Sequence, residues 1–128
     1  MENEKNIVIK IKTTGIDLTP AIEGYVREKI NMLEKFFEYY AKESGELIFE
    51  VEIGKTTLHH RRGDIFRAEI NFNADSAHLR SEAVKDELYA ALDEAKDEMS
   101  RELRKNKNKH LAFIKRGGAT LKKFLRRE

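Results

Sequence analysis

The sequence predicts an α+β domain of order β-α-β-β-β-α, a four-stranded sheet with two helices packed on one face. Three observations predict it. Four segments alternate apolar and polar residues at the period of a half-buried strand. Two longer segments repeat apolar residues every three or four positions, and turn-forming residues separate the segments. Each strand then has one apolar face and each helix one apolar stripe, and helices on a single sheet face cover both economically.

The first strand is "IVIKIKT", Ile7–Thr13, and Gly15 breaks it. The first helix is "DLTPAIEGYVREKINMLEKFFEYY". Thr19 is its expected N-cap, and Pro20 stands at the first helical position, where a missing N–H costs nothing. Ile22, Val26, Ile30, Leu33 and Phe37 form one apolar face. "SGELIFEVEIGK" alternates again, with Leu47, Phe49, Val51 and Ile53 inward. "TTLHHRRGD" reads as a polar connection with a turn at Gly63-Asp64. "IFRAEINFN" points Phe66, Ala68, Ile70 and Phe72 inward, and "ADSA" turns the chain into a short last strand, "HLRSEA". Three consecutive strands with short connections favour antiparallel pairing. The far face, with Lys10, Lys12, Glu50, Glu52, Arg67 and Glu69, is expected to be solvated.

The second helix is expected from Asp86, its cap, to Asn108, about 34 Å. Its apolar stripe is Leu88, Leu92, Ala95, Met99 and Leu103. The reading therefore divides the chain into one α+β domain, residues 1–110, and a basic, flexible tail, residues 111–128.

The chain has 128 residues and a formal net charge of +2, which conceals an asymmetry. Residues 101–128 hold 11 Lys/Arg against 2 Asp/Glu, and residues 1–100 hold 14 against 21. A basic end on an acidic body points to a polyanionic partner. Part of the pattern suits the helix itself, because acids near its N-terminus and bases near its C-terminus complement the macrodipole. That accounts for one or two bases, not for Arg101, Arg104, Lys105, Lys107 and Lys109 together. From charge alone nucleic acid is favoured over an anionic membrane or acidic protein, and over solubility alone. All of these remain open at this level.

Catalysis is hard to assemble. With no cysteine there is no disulfide, thiolate metal site or cysteine nucleophile. His59-His60 is the one histidine cluster, but neighbours on a strand point to opposite faces. "RGGATLKK" lacks the spacing of a phosphate loop. No serine sits on a nucleophile elbow. The expectation is a binding protein, not an enzyme, with no cofactor, no metal and no small-molecule substrate. The N-terminus lacks a signal peptide's apolar run, and no run approaches the roughly 20 residues that span a bilayer.

The chain resembles the ribosome hibernation-promoting factor and ribosome-associated inhibitor family. In the first helix the matching residues are Leu18-Thr19-Pro20-Ala21, Tyr25-Val26, Lys29 and Leu33-Glu34-Lys35-Phe36. In the second they are Tyr89-Ala90-Ala91-Leu92-Asp93, Arg101, Leu103, Lys105, Lys107 and Lys109, with "RAEINF" as the third strand. The resemblance covers about residues 5–110. Met99 takes a position where the family usually has Leu, and the chain is expected to be a short member without the separate dimerising domain. The resemblance implies a fold like a double-stranded-RNA-binding domain. It also implies binding to the small ribosomal subunit, in the channel for messenger and transfer RNA, and translation stopped by occlusion in idle or stressed cells. The partner would be the subunit and its ribosomal RNA, with no membrane, in the cytoplasm, the protein being monomeric off the ribosome. The RNA-binding residues expected under this resemblance are Lys29 and Lys35 from the first helix, and Lys55, Arg61, Arg62, Arg67 and Arg80 from loop and sheet. From the second helix they are Arg101, Arg104, Lys105, Lys107 and Lys109. The competing class is a regulatory module for free structured RNA or an acidic protein.

Overall fold

A computed structural model describes residues 6–42, 44–56, 63–75 and 77–126, with backbone alone from residue 118. Strand β1 (Asn6–Thr14) leads to helix α1 (Pro20–Asn31), a 3-10 turn (Glu34–Phe36) and the short helix α2 (Phe37–Ala41). Then come β2 (Glu46–Thr56), β3 (Ile65–Ala74), β4 (Ala77–Lys85) and helix α3 (Leu88–Arg126). The sheet order is β1-β2-β3-β4. The helical crossover returns the chain to the same end of the sheet, so β1 and β2 pair in parallel. Short connections make β2–β3 and β3–β4 antiparallel. The α+β architecture is the expected one.

Register explains the two faces. Ile9 pairs with Phe49, Phe49 with Phe72 and Phe72 with Leu79, a row that faces the helices. One residue along, Lys10, Glu50, Asn71 and Arg80 form a row on the opposite face. The core between sheet and helices holds Val26, Ile30, Phe49, Phe72, Leu92, Met99 and Leu103, each at most 1% exposed. Phe49 and Phe72 meet tilted, with centroids 4.8 Å apart.

Gly15 ends β1 with φ +78°, and a Cβ there would come within 2.9 Å of the Lys55 carbonyl oxygen. Both conformation and close approach require glycine at this turn. Thr19 caps α1 as expected, its Oγ1 accepting from the Ile22 N–H at 3.1 Å.

Three boundaries differ from the sequence reading. The first helix is not continuous to Tyr40. The Leu33 N–H bonds the Ile30 carbonyl and the Phe36 N–H bonds the Leu33 carbonyl, each at 2.9 Å, so the turn tightens to three residues. That tightening lets Leu33, Phe36, Phe37 and Tyr40 all be buried. Second, α3 starts at Leu88, and its first bond runs from the Ala91 N–H to the Glu87 carbonyl, so Asp86 is not the capping residue. Third, α3 continues past Asn108 to Arg126. Gly117-Gly118 weakens it by about 1 kcal/mol per glycine, but no proline follows and Leu111, Ala112, Lys115 and Arg116 favour helix.

Candidate nucleic-acid interface

The middle of α3 carries the candidate site because its inner stripe is fully used. Ala91, Leu92, Ala95, Met99 and Leu103 are at most 1% exposed. The helical period therefore sends Arg101, Arg104, Lys105, Asn108 and Lys109 outward, and all five are exposed. Among the described residues Arg101, Lys105 and Lys109 have no ion-pair partner.

The segment after α1 joins this face. Phe36 is 5% exposed and lies beneath two cations: Lys35 Nζ is 5.5 Å from its ring centroid and the Arg104 guanidinium carbon 5.6 Å. The ring thus seats one cation from the 3-10 turn beside one from α3 without neutralising either. Lys107 lies similarly over Tyr39, at 5.2 Å. The Tyr39 hydroxyl also pairs with His110 Nδ1. Beneath them the Tyr40 hydroxyl lies within donating distance of the Leu103 carbonyl oxygen, 2.8 Å, and of Asn106 Oδ1, 2.9 Å. Burial pushes the Tyr40 hydroxyl pKa up, so it remains a proton donor. The aromatic run Phe36-Phe37-Glu38-Tyr39-Tyr40 is the sequence signal for this seat. Sequence reasoning places only Phe37 on the apolar face and misses Phe36, Tyr39 and His110 as supports.

The other expected RNA-binding residues lie elsewhere. Lys29 is bound to Asp93 at 2.9 Å with only 16% of its side chain exposed. The Tyr25 hydroxyl donates to the same carboxylate at 2.6 Å. Burial opposes ionisation of Asp93, but Tyr25 and Lys29 outweigh it and hold the carboxyl pKa below its ordinary value. Lys29 therefore locks α1 to α3. Tyr89 packs edge-on against Tyr25, centroids 4.4 Å apart.

Arg67 and Arg80 lie on the helix-free sheet face, where Glu69 and Glu82 engage both. Arg67 meets Glu69 at 2.8 Å and also pairs with Glu82. Arg80 meets Glu69 at 2.6 Å and Glu82 at 3.1 Å. The hydrogen bond from Arg80, with others from Asn71 and Arg67, holds the Glu69 pKa down at about 2. Both arginines thus already carry carboxylate partners, whereas Arg101, Arg104 and Lys105 have none among the described residues. Lys55 pairs with Asp64 at 3.3 Å across the β2–β3 end. Arg61 and Arg62, with His59 and His60, lie outside the described residues.

Among the described residues no three His, Asp or Glu side chains are placed to hold a metal. No helix of the described residues is long and apolar enough to cross a membrane.

Residues 9–111 match the model of a family described as sigma 54 modulation protein / S30EA ribosomal protein. The chain is 29% identical over 103 residues to the ribosome hibernation promoting factor of Azotobacter vinelandii, covering 80% of this chain and 85% of that protein. It is 26% identical over 99 residues to the ribosome hibernation promotion factor of Bacillus subtilis, covering 77% of this chain and 48% of that protein. The chain thus spans about half the length of some curated relatives and most of others. Among solved structures it resembles the N-terminal domain of Thermus thermophilus Protein Y, with TM-score 0.60 and 26% identity, over 78% of this chain and 97% of that one. A ribosomal subunit interface protein from Coxiella burnetii shares the fold, with TM-score 0.63 and 16% identity over the same shares of the two chains.

Proposed function

The chain belongs to the sigma 54 modulation protein / S30EA ribosomal protein family, and on that premise we propose that it is a ribosome hibernation factor. It binds the small ribosomal subunit through ribosomal RNA, in the channel for messenger and transfer RNA, and stops translation by occupying that space. It acts in the cytoplasm of idle or stressed cells, as a monomer off the ribosome. Binding alone does the work, with no bond made or broken.

The observation that carries this reading is the face built by Arg101, Arg104, Lys105 and Lys35. These cations have no carboxylate partner among the described residues, and Phe36 brings two of them together from separate elements. A polyanion supplies what they lack. Arginine forks suit phosphate pairs and lysines act as point charges. Such recognition reads RNA shape and backbone, so affinity falls steeply with salt.

The test is binding to isolated small ribosomal subunits across a salt series, beside a plain RNA duplex. The expected result is tight subunit binding, a steep salt slope and weaker duplex binding. Equal binding to both reduces the protein to a general RNA-binding module. Binding to neither overturns the reading and returns the field to an acidic protein partner.

A further inference from the structure

The joint between α2 and α3 leaves a groove of about 310 Å³ beside the basic face, at the lower end of the range of small-molecule sites. Leu111 and Ile114 of α3 form an apolar wall, 45% and 47% exposed. Tyr39 and the buried Tyr40 line it from α2.

Three polar groups line the same groove with bonding capacity left over. The single Tyr40 hydroxyl proton serves the Leu103 carbonyl oxygen at 2.8 Å or Asn106 Oδ1 at 2.9 Å. One end of the Asn106 amide therefore meets Tyr40, and the other end, donor or acceptor, is left for the groove. His110 meets the Tyr39 hydroxyl through Nδ1, and its Nε2 has no partner among the described residues. Lys42 is exposed and has no ion-pair partner among the described residues.

This chemistry selects the occupant. A lipid chain or an apolar side chain would cover Leu111 and Ile114 but bury the amide, the imidazole nitrogen and the ammonium without partners, at a cost in free energy. A bare phosphate would suit Lys42 and leave the apolar wall unused. A nucleobase has both an apolar face and a polar edge. Its face fits Leu111, Ile114 and the His110 ring, and its edge fits Asn106 and Lys42. The cations lead an RNA strand to this place. Arg104 precedes Leu111 by seven residues, so it lies about 10 Å along the same side of α3. Lys107, seated over Tyr39, borders the groove.

We propose that the groove receives one unpaired base of the RNA whose phosphates lie on Arg101, Arg104 and Lys105. This deepens the ribosomal reading above and rests on it. Because the amide can present either end, the groove selects a base that is out of its stack and not which base it is.

The test separates base from backbone. In the full chain, His110 and Ile114 are together replaced by Ala, and in a second form His110→Phe keeps a flat ring. A third form replaces Arg101, Arg104 and Lys105 by Ala. Each is melted and then titrated against small ribosomal subunits in a salt series. The double variant is expected to lose affinity on the order of tenfold with a native salt slope, since stacking is lost and no phosphate contact is. The Phe form should bind nearly as the native chain does, and the triple variant should show a shallower slope. A second measurement needs no variant. The side-chain NMR signals of Asn106 and His110 are followed in the native chain with a single-stranded RNA hexamer, with an abasic hexamer of the same length, and with vesicles of anionic phospholipid. The signals should move with the hexamer and far less with its abasic form. If they move equally with both and the double variant binds natively, the groove takes no base, and the ribosomal reading stands if the triple variant still loses affinity. If they answer to vesicles and not to the hexamer, the groove is a lipid site and the proposal is overturned. If the native chain binds no subunits, the ribosomal reading fails and takes this proposal with it.

Discussion

At the scale of single residues, exposure does not separate cations left available to a ligand from cations engaged within the fold; partners do. Arg80 and Arg101 are both exposed. Arg80 is engaged by Glu69 and Glu82, while Arg101 has no carboxylate partner among the described residues. Replacing Arg101, Arg104 and Lys105 by Ala should therefore weaken small-subunit binding by roughly tenfold or more, with a thermal midpoint close to native. Unchanged affinity in a titration would remove these residues from the interface. Glu69 makes the complementary case. Its pKa falls from an ordinary 4.5 to about 2 in the fold. The stability it contributes is therefore complete above about pH 4.5 and is lost as pH falls through about 2. Glu69→Gln should lower the thermal midpoint at about pH 7 and flatten its fall between those two pKa values. An acid limb as steep as the native one would show that Glu69 is not its source.

At the scale of elements, the joint between α2 and α3 decides whether the basic face exists as one surface. Phe36, Tyr39 and Tyr40 come from a chain that tightens after α1, and each meets the middle of α3. Tyr40→Phe removes a buried hydroxyl that reaches both Leu103 and Asn106. The expected cost is ~1 kcal/mol, since one buried hydrogen-bonding group is removed while the ring and its packing remain. Chemical denaturation with an unchanged slope against denaturant would show this as a shift of midpoint. No shift would mean that the ring alone fastens the two helices. The helix itself explains why residues 111–126 read as a tail in the sequence: two adjacent glycines resemble a stop, but a helix already running for many turns crosses them at modest cost.

At the scale of the whole molecule, sheet and helices share one core, so the basic face and the fold are separable by mutation. Leu92 and Met99 lie at most 1% exposed beneath the sheet. Leu92→Asp or Met99→Asp puts an unpaired charge there, at a cost of several kcal/mol, comparable to the stability of a domain of this size. Loss of cooperative unfolding in calorimetry is the expected outcome. A folded variant with a native midpoint would show that the core relaxes far more than its packing suggests. Binding and folding losses are thus distinguished by one melting curve.

The sequence by itself determined the α+β class, the four strands and the inward residues of β2 and β3, because a period of two is local and needs no partner to be read. It also determined that Arg101, Arg104 and Lys105 face outward, since the stripe ending at Leu103 leaves them only that side. What the tertiary structure decided was pairing. Asp93 lies 64 residues after Lys29, and Glu82 lies 15 after Arg67, so no local pattern announces that these carboxylates meet those cations. The same holds for Phe36 beneath Arg104, which the turn after α1 brings to α3 across the core. Charge is written in the sequence; whether a charge is already satisfied depends on distances that only the folded chain sets.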